Sequence, residues 1–235
     1  MNRSPASPNM RFPGSTYMDA EHRMTVRHSV IPLALALFAA ACSDSIGPLP
    51  TALPPSFDYV AADSTALHVL RQSATAPPLA TYQVSFWARH DMESTVEVDY
   101  QPAPGQSVGQ PFLRFHIPKF GLKTRPDGTR FYGADSVFIT MTIDSVQLAV
   151  DFEPSGVTFS EVFAAGLIIW YANANPDLNG DGVVDSTDLA LQQQLALSEQ
   201  PAKMNGWFKT ATKNDATQQY VAAELYHFSQ YAVSW

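Results

Sequence analysis

The amino-acid sequence predicts a mostly β fold: an antiparallel β-sandwich with one short helix after a calcium-type loop. Three observations support this prediction. From residue 57 onward, short apolar runs alternate with turn signals, as in sandwich domains. Residues 137–143 alternate apolar and polar side chains, as a strand with one solvated face does. Helical periodicity is almost absent.

The candidate strands are bounded by turn residues. Pro126-Asp-Gly128 and Pro154-Ser-Gly156 are predicted turns, because proline fixes φ and glycine accepts positive φ. The predicted strands are 82–88, 95–100, 112–117, 136–142, 147–152, 166–171, 206–210, 220–225 and 231–235. Trp87, Trp170, Trp207 and Trp235 are expected in the core instead of on a sugar-binding face, since aromatic side chains of sandwiches mostly pack inside.

The charge of the chain disfavours nucleic acid as a partner. The net charge is −8, although the first 41 residues carry four Arg against Asp19 and Glu21, so the remainder is more acidic than the total indicates. An acidic surface repels phosphate backbones and attracts cations. A single cysteine, Cys42, excludes an internal disulfide and any site made of several cysteines.

The N-terminal residues resemble a bacterial lipoprotein export signal. A basic segment at 24–28 precedes an apolar run at 30–41, which is too short to span a membrane, and small residues then lead to Cys42. We predict an extension and signal peptide at 1–41, a lipid anchor on Cys42 with a Pro/Ser linker to residue 56, and an outer-membrane location in the cell envelope. The alternative is a soluble secreted protein cleaved at an A-x-A site.

Several motifs of the folded domain resemble the ZU-five domain, a β-sandwich of ankyrins, netrin receptors and death-domain proteins. The resemblance implies a ZU-five-like sandwich at 57–235 that acts as an interaction module. One departure is Lys119-Phe120, where the family usually has Gly-Ala. The motifs are Leu113-Arg-Phe-His-Ile117-Pro118, Val137-Phe-Ile-Thr-Met141, Phe152-Glu-Pro-Ser-Gly156-Val-Thr-Phe159, the run 167–171, and His227-Phe-Ser229-Gln-Tyr231.

Residues 177–188 fit a calcium-binding loop. Oxygen ligands fall at positions 1, 3, 5, 7, 9 and 12, and Gly182 stands at position 6, where the chain turns sharply. Val184, at position 8, is expected to turn inward. The predicted Ca²⁺ ligands are the side chains of Asp177, Asn179 and Asp181, the carbonyl of Val183, Asp185 through a water molecule, and Asp188 as the closing carboxylate.

The loop and the helix predicted at 189–197 resemble one dockerin repeat, inserted into the sandwich at 177–197. Dockerins carry two such repeats, and this sequence has one, so cohesin binding is not implied. The alternative is a solvated Asp/Asn/Gly turn between two strands, with 189–197 extended. Four carboxylates in twelve residues repel one another without a cation, which favours calcium.

His227-Phe228-Ser229 is the candidate for covalent chemistry. In death-domain relatives of the ZU-five family a motif of this form cleaves its own chain, which here implies attack of Ser229 on the Phe228 carbonyl with help from His227. The alternative is a fold motif in which Phe228 and Tyr231 pack inward. No motif for enzyme turnover is present, since the sequence lacks G-x-S-x-G and HExxH.

The sequence therefore predicts a membrane-anchored, calcium-stabilised lipoprotein that binds or scaffolds an unidentified protein or polysaccharide and catalyses no turnover. Two alternatives come from other classes. One is an autoproteolytic domain that cleaves between Phe228 and Ser229. The other is a dockerin-like adaptor associated with carbohydrate.

Overall fold

A computed structural model describes residues 67–201 and 206–235 of the chain. The signal peptide, Cys42, the linker and the beginning of the predicted domain lie outside these residues. No helix of the described part is long and apolar enough to cross a membrane. Its elements are β1 Gln83–Arg89, β2 Ser94–Asp99, β3 Pro111–Ile117, β4 Leu122–Thr124, β5 Ser136–Ile143, β6 Ala149–Glu153, β7 Thr158–Phe159, β8 Ala165–Trp170, α1 Ser186–Gln192, β9 Ala196–Gln200, β10 Phe208–Lys209, β11 Thr212–Asp215, β12 Tyr220–Leu225 and β13 Gln230–Ser234.

The strands form two larger antiparallel sheets and a short ribbon. The first sheet has the order β1-β5-β6-β13-β9-β10, the second has the order β11-β12-β8-β3-β2, and β4 pairs with β7. Inward side chains of both larger sheets join one buried cluster, so the two sheets pack face to face. The predicted mostly β, antiparallel fold with a single short helix is confirmed.

Alternation of apolar and polar side chains determines which face of a strand packs against the core, as β5 shows. In β5, Ile139, Met141 and Ile143 point into the core, whereas Phe138 and Thr142 are exposed. Burial of the apolar set stabilises the sheet, and a shift of one residue would expose it to water. The centre of the core is aromatic, because rings from both sheets and from the segment before β13 meet there.

The predicted helix is partly wrong. We expected helix over 189–197, but α1 starts at Ser186 and ends at Gln192, and residues from Ala196 onward form β9. Asp185 fixes the start, because its side chain accepts a hydrogen bond from the Thr187 backbone N–H as an N-cap. Pairing of β9 with β13 and β10 overrides the helix-forming composition of the later residues.

The expected burial of the tryptophans is wrong for Trp87. Its side chain is 66% exposed on β1, whereas Trp170, Trp207 and Trp235 are half-buried. Both predicted turns are present, with positive φ at Gly128 and Gly156.

The chain enters the described domain beside the loop that follows β8. Arg71 bridges to Gln147, Gln72 bridges to Ala174, and the Asn175 backbone N–H donates to the Arg71 carbonyl at 2.8 Å. Residues 177–188 therefore project from the end of the sandwich at which the chain enters.

Candidate functional site

The first half of the 177–188 loop is folded around the side chain of Asp177. Its Oδ1 accepts from the Gly180 backbone N–H at 2.8 Å, and its Oδ2 accepts from that of Gly182 at 2.9 Å. Both glycines have positive φ, 75° at Gly180 and 86° at Gly182. Residues with a Cβ rarely adopt such positive φ angles, so these glycines permit the tight turn.

The next two predicted ligands continue the same pattern along the loop. Asn179 Oδ1 accepts from the Asp181 backbone N–H at 3.0 Å, and Asp181 Oδ1 accepts from that of Val183 at 2.8 Å. The Asn179 side-chain amide donates to Asp181 Oδ2 at 2.9 Å. Short polar side chains thus hold the loop backbone in a coil from one end to the other.

The last predicted ligand, Asp188, closes the loop from the first turn of α1. Its Oδ1 accepts from the backbone N–H groups of Leu178 (2.7 Å) and Asn179 (3.2 Å), and its Oδ2 accepts from that of Asp185 (2.9 Å). Asp188 is 2% exposed. The Asp185 N–H foremost, with those of Asn179 and Leu178, therefore holds the pKa of Asp188 below its usual value.

The loop combines features that fit a calcium ion with one that does not. The turn at Gly182 and the enclosed carboxylate of Asp188 match positions 6 and 12 of a calcium loop. However, no three His, Cys, Asp or Glu side chains converge as a metal-binding group anywhere in residues 67–201 or 206–235. Binding of an ion would therefore require the carboxylates to turn from their backbone partners toward a common centre.

The expected inward position of Val184 is wrong. Val183 and Val184 are each 59% exposed, so neither side chain anchors the loop in the core. Leu178 takes this role, because it packs against the main buried cluster. A cavity of about 220 Å³ lies beneath, between the loop, α1 and the end of the sandwich.

The second candidate site begins at His227, which pairs with a glutamate that the sequence did not single out. His227 Nε2 lies 3.4 Å from Glu199 Oε2, and Glu199 is only 8% exposed. The hydrogen bond to this carboxylate raises the pKa of His227 despite its partial burial. The His227 carbonyl accepts from the Tyr231 hydroxyl at 2.6 Å. The imidazole and the backbone of this residue are therefore both engaged in structural contacts.

Ser229 points to a different neighbour. Its side chain is 2% exposed and its hydroxyl donates to the Gln200 carbonyl on β9 at 2.5 Å. A nucleophilic serine needs a base that accepts its proton, and a backbone carbonyl cannot act as one. The hydrogen bonds of His227 and Ser229 thus join β13 and the residues before it to β9, which is the arrangement expected of a fold motif.

We expect the purified chain to remain intact at the Phe228-Ser229 bond. Self-cleavage needs a base at the serine hydroxyl, whereas this hydroxyl is directed at the Gln200 carbonyl. Intact-mass measurement should give the same C-terminus for wild type and for Ser229→Ala. A loss of residues 229–235 in the wild type that is absent from the variant would contradict this expectation and support autoprocessing.

Sequence reasoning missed Glu199 and Gln200 because it did not predict β9. The residues from Ala196 to Gln200 carry no clear alternation, and four of the five are good helix formers. Only the pairing of Tyr231 with Glu199 and of Gln230 with Gln200 across β13 and β9 brings them to the His227 motif.

Comparison of the chain with protein-family models, with curated proteins and with solved structures finds no match. The similarity to ZU-five domains and to a dockerin repeat therefore remains a prediction from the sequence motifs.

Proposed function

We propose that this protein is a membrane-anchored, calcium-stabilised binding lipoprotein without catalytic turnover. The observation that carries the proposal is the coiled 177–188 loop, in which Gly182 makes the required turn and Asp188 is enclosed at the closing position. The ion would be held by Asp177, Asn179 and Asp181 with the Val183 carbonyl and Asp188, and Asp185 would contribute through water.

The charge of the loop supports the presence of a cation. Asp177, Asp181, Asp185 and Asp188 lie within twelve residues, and none of the salt bridges found in the described residues involves them. Mutual repulsion of carboxylates that have no cationic partner raises the free energy of the folded loop. A divalent cation would remove this repulsion and stabilise the loop next to residues 71–72.

A structural role for the ion agrees with its surroundings. The loop lies at one end of the sandwich, where it contacts α1 and the turn after β8. The non-catalytic part of the proposal is supported by the contacts of Ser229 and His227, which serve strand pairing. The lipid anchor at Cys42 and the envelope location are proposed from the export signal alone.

Calcium is expected to raise the melting temperature of the full-length chain. Extracellular calcium modules bind with Kd of about 10⁻⁴–10⁻³ M, so about 10⁻² M calcium should stabilise the fold by roughly 1.4–2.7 kcal/mol. For a domain of this size the melting temperature should rise by about 3–10 °C. Thermal unfolding followed by circular dichroism, with calcium or with a chelator at equal ionic strength, measures the shift.

Two variants test whether the shift comes from the loop. Asp181→Ala removes an exposed predicted ligand and should abolish the calcium response. Asp127→Ala removes an exposed aspartate from the turn between β4 and β5, where its Oδ1 accepts from Thr129, and should keep the response. A wild type that calcium leaves unchanged, or an Asp181→Ala variant with the full shift, would refute the calcium site.

A further inference from the structure

An exposed aromatic pair lies on the outer face of the first sheet. Trp87 on β1 is 66% exposed and Phe138 on β5 is 47% exposed, and their ring centroids are 5.3 Å apart. The two residues are direct cross-strand partners. Both rings are therefore accessible to a ligand or partner.

Hydroxyl and amide side chains continue the same face beyond the aromatic pair. Ser85 and Thr140 are cross-strand partners with their hydroxyl oxygens 3.0 Å apart. In the next outward pair, the Gln83 amide donates to the Thr142 hydroxyl at 3.4 Å. These six residues, which we call the β1 face, are Gln83, Ser85, Trp87, Phe138, Thr140 and Thr142.

Two carboxylates border the β1 face on the neighbouring strand β6. Glu153 lies opposite Thr140 and Asp151 lies opposite Thr142, and both are exposed. No salt bridge in residues 67–201 or 206–235 involves either of them. Glu153 Oε2 accepts from the Ser155 backbone N–H at 2.8 Å. The face therefore presents two exposed aromatic rings, tilted by 55° to each other, at one end and hydrogen-bonding groups at the other.

The dimensions of this surface suit an extended chain. The outward residues of β1 run from Gln83 to Arg89, which corresponds to about 20 Å at ~3.4 Å per residue. Strands β1, β5 and β6 are adjacent and together give a width of about 10 Å. A linear polymer could lie along β1 with one unit on Trp87 and further units beside the polar pairs.

We propose that the β1 face binds a neutral polysaccharide chain. The C–H face of a sugar ring is apolar and packs on a flat aromatic ring, while its hydroxyl groups lie at the ring edge. Trp87 and Phe138 provide the aromatic contact, and Ser85, Gln83 and the two carboxylates of β6 can accept or donate hydrogen bonds to the hydroxyl groups. This arrangement supplies both kinds of contact that a sugar needs.

The charge of the face disfavours an anionic polymer. Asp151 and Glu153 would repel an anionic chain. Arg89, the next outward residue after Trp87 on β1, donates to Asp91 from Nε at 3.0 Å and from Nη2 at 2.9 Å, so its charge is compensated beside the aromatic pair. A cationic peptide would be attracted by Asp151 and Glu153 and could form a cation–π contact with Trp87, so the decalysine titration below decides between it and a neutral sugar chain.

This inference rests on the proposed binding role, for which it names the partner class, but it does not depend on the calcium loop. Binding by the Asp181→Ala variant separates the two. If this variant loses its calcium response and still binds glycan, both proposals stand independently of each other. If the wild type shows the calcium response but binds no glycan, only the polysaccharide proposal is overturned.

The experiment is isothermal titration of the full-length protein with neutral hexasaccharides of β-1,4-glucose, β-1,4-xylose, β-1,4-mannose and α-1,4-glucose. We expect at least one to bind, and we expect Trp87→Ala to weaken that binding by about tenfold or more, as removal of an aromatic hot-spot side chain does. A hexamer of galacturonic acid should not bind. Trp87 is exposed, so its removal should leave the melting temperature nearly unchanged.

Tyr132→Ala is the matched control, because Tyr132 is 67% exposed but lies in the segment between β4 and β5 and outside the β1 face. It should bind sugar as the wild type does. The proposal is overturned if no neutral hexasaccharide binds at millimolar concentration, or if Trp87→Ala and Tyr132→Ala have the same effect. Binding of decalysine that Trp87→Ala abolishes would instead identify the face as a site for cationic peptides.

Discussion

Replacement of Phe228 by alanine is expected to lower the free energy of unfolding by about 3–5 kcal/mol, the usual cost of removing a buried phenylalanine. Phe228 is 2% exposed and stacks on Phe152 with a centroid distance of 5.1 Å and an interplanar angle of 2°. Its ring also contacts Phe159 at 5.1 Å and Phe115 at 5.9 Å. The variant leaves a cavity where both sheets and the β4–β7 ribbon meet, and the rigid rings around it cannot close it.

Urea unfolding of wild type and variant measures this loss. Phe138→Ala is the control, because Phe138 is 47% exposed on the outer face and its removal should change the unfolding free energy by no more than about 0.5 kcal/mol. Equal effects of the two substitutions would show that the His227-Phe228-Ser229 motif does not contribute to the core in the way described.

Alternation and burial agree in several of the strands that the sequence predicted correctly, whereas β8 and β12 were predicted although they are almost entirely buried. In β5 the buried positions repeat every second residue, so the pattern alone gives the strand and its inward face. The same holds for β2, where Val98 is buried and Glu97 is on the solvated side. Turn residues such as Gly128 and Gly156 marked where such segments end.

The strands that the sequence did not predict are short, or in the case of β9 are composed mainly of good helix formers. The β4–β7 ribbon pairs three residues with two, which is too few for any period to appear. β11 is polar throughout and is held by its pairing with β12, and β9 is largely buried between neighbours. Pairing with strands that are distant in sequence determines the conformation of these segments. Such pairing cannot be predicted from the local residue pattern of one sequence.

The candidate sites show the same division between local and distant contacts. Asp185 and Asp188 were predicted as calcium ligands from their spacing, and the same spacing makes them a capping box for α1. This second role is local and could have been predicted. The partner of His227, by contrast, lies 28 positions earlier in the chain at Glu199, and only the fold brings the two together.

Cys42→Ala is expected to abolish membrane association of the mature protein. A diacylated cysteine buries two acyl chains, each CH₂ contributing ~0.8 kcal/mol, and two chains give stable attachment where one gives only reversible binding. Cells labelled with palmitate should yield a labelled wild-type protein in the membrane fraction. The variant should carry no label, because no other cysteine is present in the sequence.

Ser43→Ala provides the control, because it changes the neighbouring residue and leaves the thiol intact. It should be labelled and should remain in the membrane fraction. Equal labelling of wild type and Cys42→Ala, or a soluble wild type, would instead indicate a secreted protein cleaved at the A-x-A site, with Cys42 as an ordinary thiol.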